Sequence, residues 1–162
     1  MTTTRGTLGI WERLASKPGG KWAFSRLVCL KAPYFGSIRP AFEELRPGYC
    51  RVAVRKRRAV LNHIGTVHAI AMCNMAELAG GTMTEVTIPA THRWIPKGMT
   101  VEYLKKATTD LVAVATPEST PDWSAPGEYR VNVLVSDRRD EPVFRAVINM
   151  WVSQKKPLES KP

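Results

Sequence analysis

The chain has 162 residues, 44% hydrophobic and 23% charged, which suits one globular domain with a real core and excludes a disordered or fibrous protein. No apolar run approaches the roughly eighteen residues of a membrane span, and the N-terminus lacks the apolar core and cleavage site of a signal peptide. The formal charge of +10 favours anionic partners, whether nucleic acid, an acidic lipid surface or a phosphorylated small molecule.

The chain opens as helix. In "TLGIWERLASK" the residues Ile10, Trp11 and Leu14 share a stripe, and "PGG" at Pro18 to Gly20 ends it. "KWAFSRLVCLK" continues, with Trp22, Leu27 and Leu30 read as its packing surface, and Pro33 closes it. Strands are then expected at 37–46 and 49–60, joined by a tight turn at "RPG". The basic run "RVAVRKRRAV" sits in the second of these. It reads either as a solvated strand face or as a phosphate-binding one. A long helix starts near Gly65 or Thr66 and is expected to end at Gly80 and Gly81, a pair suited to a C-terminal cap. Further strands are expected at 85–89, 99–108, 110–116, 128–137 and 143–153, the last two alternating apolar and polar residues in "YRVNVLVSD" and "VFRAVINMWV". "DRRDEP" is a hairpin turn, and the Pro/Ser-rich stretch 116–127 is a loop, either a flap or a poorly ordered connection. Grouped strands imply an antiparallel sheet, hence an α+β fold in which a curved sheet of about six strands wraps one long helix.

That helix, within "NHIGTVHAIAMCNMAELAGG", is apolar and small on both sides, as a core helix must be. It nevertheless carries His68, Asn74 and Glu77. Taken singly, the histidine and the asparagine read as hydrogen-bonded structure. A glutamate is almost never buried without a partner, and no basic residue lies within one turn of it. Glu77 is therefore expected to be desolvated in the core or to reach a water-filled pocket, as acid–base groups commonly do. Nine residues advance a helix by about 13–14 Å and turn it by about 180°, so His68 and Glu77 cannot meet within one helix. Two such helices paired antiparallel about a two-fold axis bring the His68 of one to the Glu77 of the other, giving two sites per dimer.

The residues "NHIGTVHAIAMCNMAE" resemble the hot-dog-fold thioesterase signature, in which Asn-x-x-Gly-x-x-His opens the central helix and an acidic residue follows nine positions after the His. Asn62, Gly65, His68 and Glu77 stand in register. The likeness is to acyl-CoA thioesterases of the phenylacetate-pathway and 4-hydroxybenzoyl-CoA kinds. It implies a domain over 34–155, with 1–33 as a helical extension and 156–162 as a flexible tail. It also implies hydrolysis of an acyl-CoA to free acid and coenzyme A, with Glu77 as general base or nucleophile. The Ala69 N–H would hold the oxyanion at the helix N-terminus, His68 would position the thioester, and Asn62 would hold the water or the carbonyl. Where the family commonly has His-Gly-Gly this chain has His68-Ala69-Ile70, a departure that implies an altered acyl preference, weak activity or lost activity and puts Ile70, with Gly65, at the substrate. No cofactor is implied beyond coenzyme A as part of the substrate. The implied partners are the acyl-CoA and further copies of the chain, as a dimer or a dimer of dimers in the cytoplasm.

Two hot-dog alternatives stand beside this reading, a non-catalytic acyl-CoA binder and an enoyl-thioester hydratase or dehydratase. Other chemistries are not expected. His63, His68 and His92 lack zinc-ligand spacing, and no HExxH, phosphate loop or GxSxG elbow occurs. Cys29, Cys50 and Cys73 are odd in number and widely spaced, as in a reducing compartment. Nucleic-acid binding is not expected, because the basic run has no interleaved aromatics. Cations that could meet coenzyme A phosphates follow no motif, so Arg55, Arg57, Arg58, Lys105, Lys106, Arg138 and Arg139 are the candidates.

Overall fold

The computed structural model describes residues 6–119 and 122–155. The expected tail at 156–162, residues 1–5 of the expected extension and residues 120–121 of the long loop lie outside the described residues. Helices α1 (Thr7–Ala15) and α2 (Gly20–Lys31) lead into a 3-10 segment over Pro33–Ile38. Strands β1 (Ala41–Arg46) and β2 (Tyr49–Val54) precede the central helix α3 (Ala69–Thr87). Four strands follow: β3 (His92–Tyr103), β4 (Leu111–Pro117), β5 (Gly127–Ser136) and β6 (Pro142–Gln154). All six form one antiparallel sheet in the order β1-β2-β4-β5-β6-β3. No helix among the described residues is long and apolar enough to cross a membrane.

The alternation along the strands decides which face holds the helix. Val131, Val133 and Val135 of β5 and Phe144, Ala146, Ile148 and Met150 of β6 are buried, while Arg130, Leu134, Arg145 and Trp151 face out. Against the inner face α3 sets Met75, Ala76, Leu78, Ala79 and Met83, all at most 1% exposed. Burial of each large apolar side chain stabilises the fold by about 1.5–3 kcal/mol.

Three expectations are corrected by this packing. The helix does not end at Gly80 and Gly81, and the strand expected at 85–89 is largely its last turn and the exit from it. The two glycines serve close approach instead. A Cβ on Gly80 would lie 2.7 Å from Ile148 Cδ1, and one on Gly81 would lie 2.9 Å from the Trp94 ring. The helix can therefore settle against Ile148 and Trp94 only because positions 80 and 81 carry no side chain. The second correction concerns β2, which stops at Val54. The Lys56 N–H donates to Asp110 Oδ1 at 2.8 Å and the Arg57 guanidinium turns to the Ser37 carbonyl, which draws the rest of the basic run out of the sheet. Third, Trp22, Leu27 and Leu30 are the exposed side of α2; Phe24 and Ser25 face inward.

The two edges of the sheet are treated differently. Along β1 lies α2. Ser25 Oγ accepts from the Phe42 N–H at 3.0 Å, Lys21 Nζ donates to the Glu43 carbonyl at 2.7 Å, and Phe24 stacks edge-on against Phe42. No strand or helix of the described chain pairs with the outer edge of β3, a 12-residue strand carrying Ile95 at 60% exposure. Pro96 and a bulge between Pro96 and Gly98 interrupt it, devices typical of an edge.

The described ends of the long loop are anchored. Trp123 packs against Tyr129 at 5.3 Å between ring centroids, and its carbonyl lies 3.0 Å from His92 Nε2.

Candidate active site

Before α3 the chain makes a small knot from Asn62 to Thr66. Asn62 Oδ1 accepts from the N–H groups of Ile64 and Thr66, and its Nδ2 donates to Thr66 Oγ1. Gly65 takes φ of +77°, a conformation in which a side chain is strained. Asn62 and Gly65 thus both shape the approach to the helix. Leu61 and Val67 bridge across the knot, and the His68 N–H donates to the Val60 carbonyl at 2.8 Å. These bonds fix where α3 begins.

At the helix start His68 occupies the N-cap. Its Nδ1 accepts from the Ile70 N–H at 3.1 Å, so the ring is held with its proton on Nε2, free to donate outward. The Ala69 N–H, by contrast, has no acceptor among the described residues. An unpaired amide at a helix N-terminus, beside a histidine N–H, is a ready site for a developing negative charge. His68, Ile70, Asn74 and the backbone around Ser37 and Val60 line a cavity of about 180 Å³ there. Ile70 is 55% exposed at its margin. Asn74 is buried and its Nδ2 donates to Ser37 Oγ at 3.1 Å.

Glu77 is not in this cavity. It lines a separate one of about 290 Å³, whose walls include Val28, Phe35, Leu78 and Trp94. The expectation that the chain's own core buries this carboxylate is corrected: Glu77 is exposed. The cause is angular. Ile70, Glu77 and Glu85 form the outward stripe of α3, which the sheet does not cover. Glu85 Oε2 accepts from Trp94 Nε1 at 2.8 Å, whereas Glu77 has no ion-pair partner among the described residues.

On the same side Cys73 Sγ and Tyr103 Oη lie 3.4 Å apart. The hydrogen bond to Cys73, with burial behind it, holds the Tyr103 phenol above its ordinary pKa. Sequence reasoning missed this contact, which joins α3 to the far end of β3 and has no local signal. No three His, Cys, Asp or Glu side chains among the described residues converge as metal ligands would.

The profile of a family defined as a domain of unknown function, DUF4442, matches residues 20–152. The chain belongs to this family. The match runs from α2 nearly to the end of β6, so in this family α2 accompanies the sheet and its helix. The crystal structure of a genomics target is 56% identical, with a TM-score of 0.80 over 92% of this chain and 98% of the other. A protein of unknown function from Pseudomonas aeruginosa, described as a probable thioesterase, is 23% identical with a TM-score of 0.72, over 83% and 96% of the two chains. A thioesterase from Haemophilus influenzae is 10% identical with a TM-score of 0.71, over 84% and 91%. Among curated proteins none matches. What the last two structures share with this chain is the fold, and it is the hot-dog fold that the sequence resemblance implies.

Proposed function

We propose that this DUF4442 protein is an acyl-CoA thioesterase whose active sites form between two copies of the chain. The observation that carries the reading is the division of the chemistry along α3. An amide and an imidazole N–H stand at its N-terminus and an exposed carboxylate stands nine residues on, the amide and the carboxylate both without a partner among the described residues. Each half is incomplete alone. A second copy laid antiparallel along the uncovered stripe brings the partner's Glu77 to Ala69 and His68. The open edge of β3 and the exposed Ile64, Ile70 and Tyr103 supply apolar surface and backbone groups for that contact.

In the assembled site the Ala69 N–H and His68 Nε2–H hold the thioester carbonyl oxygen. Glu77 takes a proton from water as the oxygen of that water bonds to the carbonyl carbon. The tetrahedral oxyanion collapses, the C–S bond breaks, and the departing sulfur takes the proton from Glu77. Asn62 acts through the knot it folds, as a positioning residue. The apolar walls beside Glu77, Val28, Phe35, Leu78 and Trp94, suit an apolar acyl group.

The test is release of free thiol from a panel of acyl-CoAs by the wild-type protein. The expected result is multiple turnovers on at least one member. Saturable binding with no thiol released would replace hydrolysis by acyl-CoA binding alone.

A further inference from the structure

Among the described residues Arg46, Arg51, Lys97, Lys105, Arg130, Arg138 and Arg145 each meet a carboxylate, and the other lysines and arginines form no ion pair. Several of these unpaired cations gather in one cleft. Between α2, the turn into β1 and the end of β2 lies a space of about 680 Å³ lined by Arg26, Arg39, Arg55, Lys56 and Arg57. None of the five forms an ion pair among the described residues. The carboxylate on its wall, Glu43, is held by Arg51 at 2.7 Å, and nearby Asp110 is held by Arg138 and the Lys56 N–H. Lys21 adds a sixth cation, its ammonium bonded to the Glu43 carbonyl.

Gathering like charges this way is unfavourable unless something anionic offsets it. The structure carries marks of that cost. The Nε atoms of Arg26 and Arg57 are buried with no acceptor among the described residues. Burial, with Arg39 beside it, pushes the Arg57 guanidinium below its ordinary pKa. On the α2 wall Trp22 lies 67% exposed, with the Arg26 guanidinium 5.8 Å from its ring. Cations beside an open indole face match a ligand that joins phosphates to a flat aromatic base.

We infer that this cleft binds the phosphorylated nucleotide of coenzyme A, its phosphates among Arg26, Arg39, Arg55 and Arg57 and its adenine against Trp22. This rests on the acyl-CoA reading above and deepens it. The connection to the helix start is direct. Ser37 and Ile38 line the His68 cavity while Arg39, the next residue, lines the cleft. The Arg57 guanidinium bonds the Ser37 carbonyl, and Asn74 bonds the Ser37 hydroxyl. A linear molecule anchored in the cleft can thus extend toward the Ala69 N–H.

The experiment is calorimetric titration of coenzyme A, and separately of inorganic pyrophosphate, into wild type, Trp22→Ala and Arg55→Gln. Both substituted side chains are exposed, so folding is not at issue. The expected result is saturable coenzyme A binding weakened about tenfold by either change, the order of magnitude that a charge-assisted bond or a stacked base carries. Pyrophosphate should bind more weakly and lose affinity only with Arg55→Gln. Coenzyme A binding left intact in both variants would overturn the assignment, as would pyrophosphate binding as tightly as coenzyme A. Because titration involves no turnover, coenzyme A binding without thiol release leaves the cleft standing and sinks the hydrolase. Thiol release that neither substitution affects, with unchanged coenzyme A affinity, does the reverse.

Discussion

Glu77→Gln is expected to lower the rate of thiol release by about 10²–10⁴-fold, the usual contribution of a general base. Gln keeps the shape and loses the ability to take a proton from water. The same change should leave thermal stability within about 0.5 kcal/mol of wild type, because the side chain is exposed and holds no ion pair among the described residues. The combination is informative. A carboxylate retained for structure would move the melting temperature, whereas one retained for chemistry moves only the rate. Thiol release measured beside a thermal scan checks both, and equal rates for the two proteins would remove Glu77 from the mechanism.

The largest expected stability effect lies at the other end of the chain. Phe24, 1% exposed, makes edge-on contacts with Trp11 at 5.0 Å and Phe42 at 5.1 Å between ring centroids. It is the joint between α1, α2 and β1. Phe24→Ala is expected to cost about 3–5 kcal/mol, a large share of the 5–15 kcal/mol typical of a domain. Denaturant unfolding should show one transition at a lower midpoint. A shift below about 1 kcal/mol would mean that α2 is an appendage on the sheet. The neighbouring Ser25 links to the same edge, its hydroxyl satisfying the Phe42 N–H, so displacement of α2 would also orphan a buried donor.

Much of this arrangement was legible in the residues, and the exceptions have specific causes. The alternation in β5 and β6 and the small apolar helix declared the wrapped sheet, because both patterns are local. The end of α3 was not legible: Gly80-Gly81 is an ordinary cap in sequence, and its actual reason, the approach of Ile148 and Trp94, comes from tertiary packing against strands that follow the helix. Apolarity in α2 likewise did not say which side packs, since Trp22 and Leu30 are as hydrophobic as Phe24 yet face out. For the candidate site, the spacing of His68 and Glu77 made clear that one helix cannot join them. It did not show that Glu77 stands on the stripe the sheet leaves open. The basic run pointed to phosphate as one option, but Arg26 and Arg39 join it from separate elements, which no local pattern announces.

The central claim, a site divided between two copies, is tested most directly by mixing His68→Ala with Glu77→Gln. Each variant alone is expected to be nearly inactive. After subunit exchange, confirmed by mass spectrometry of differently labelled chains, heterodimers hold one intact site. Because random exchange makes half the dimers mixed, activity should return to about a quarter of the wild-type rate. Exchange without any recovery would contradict the shared site.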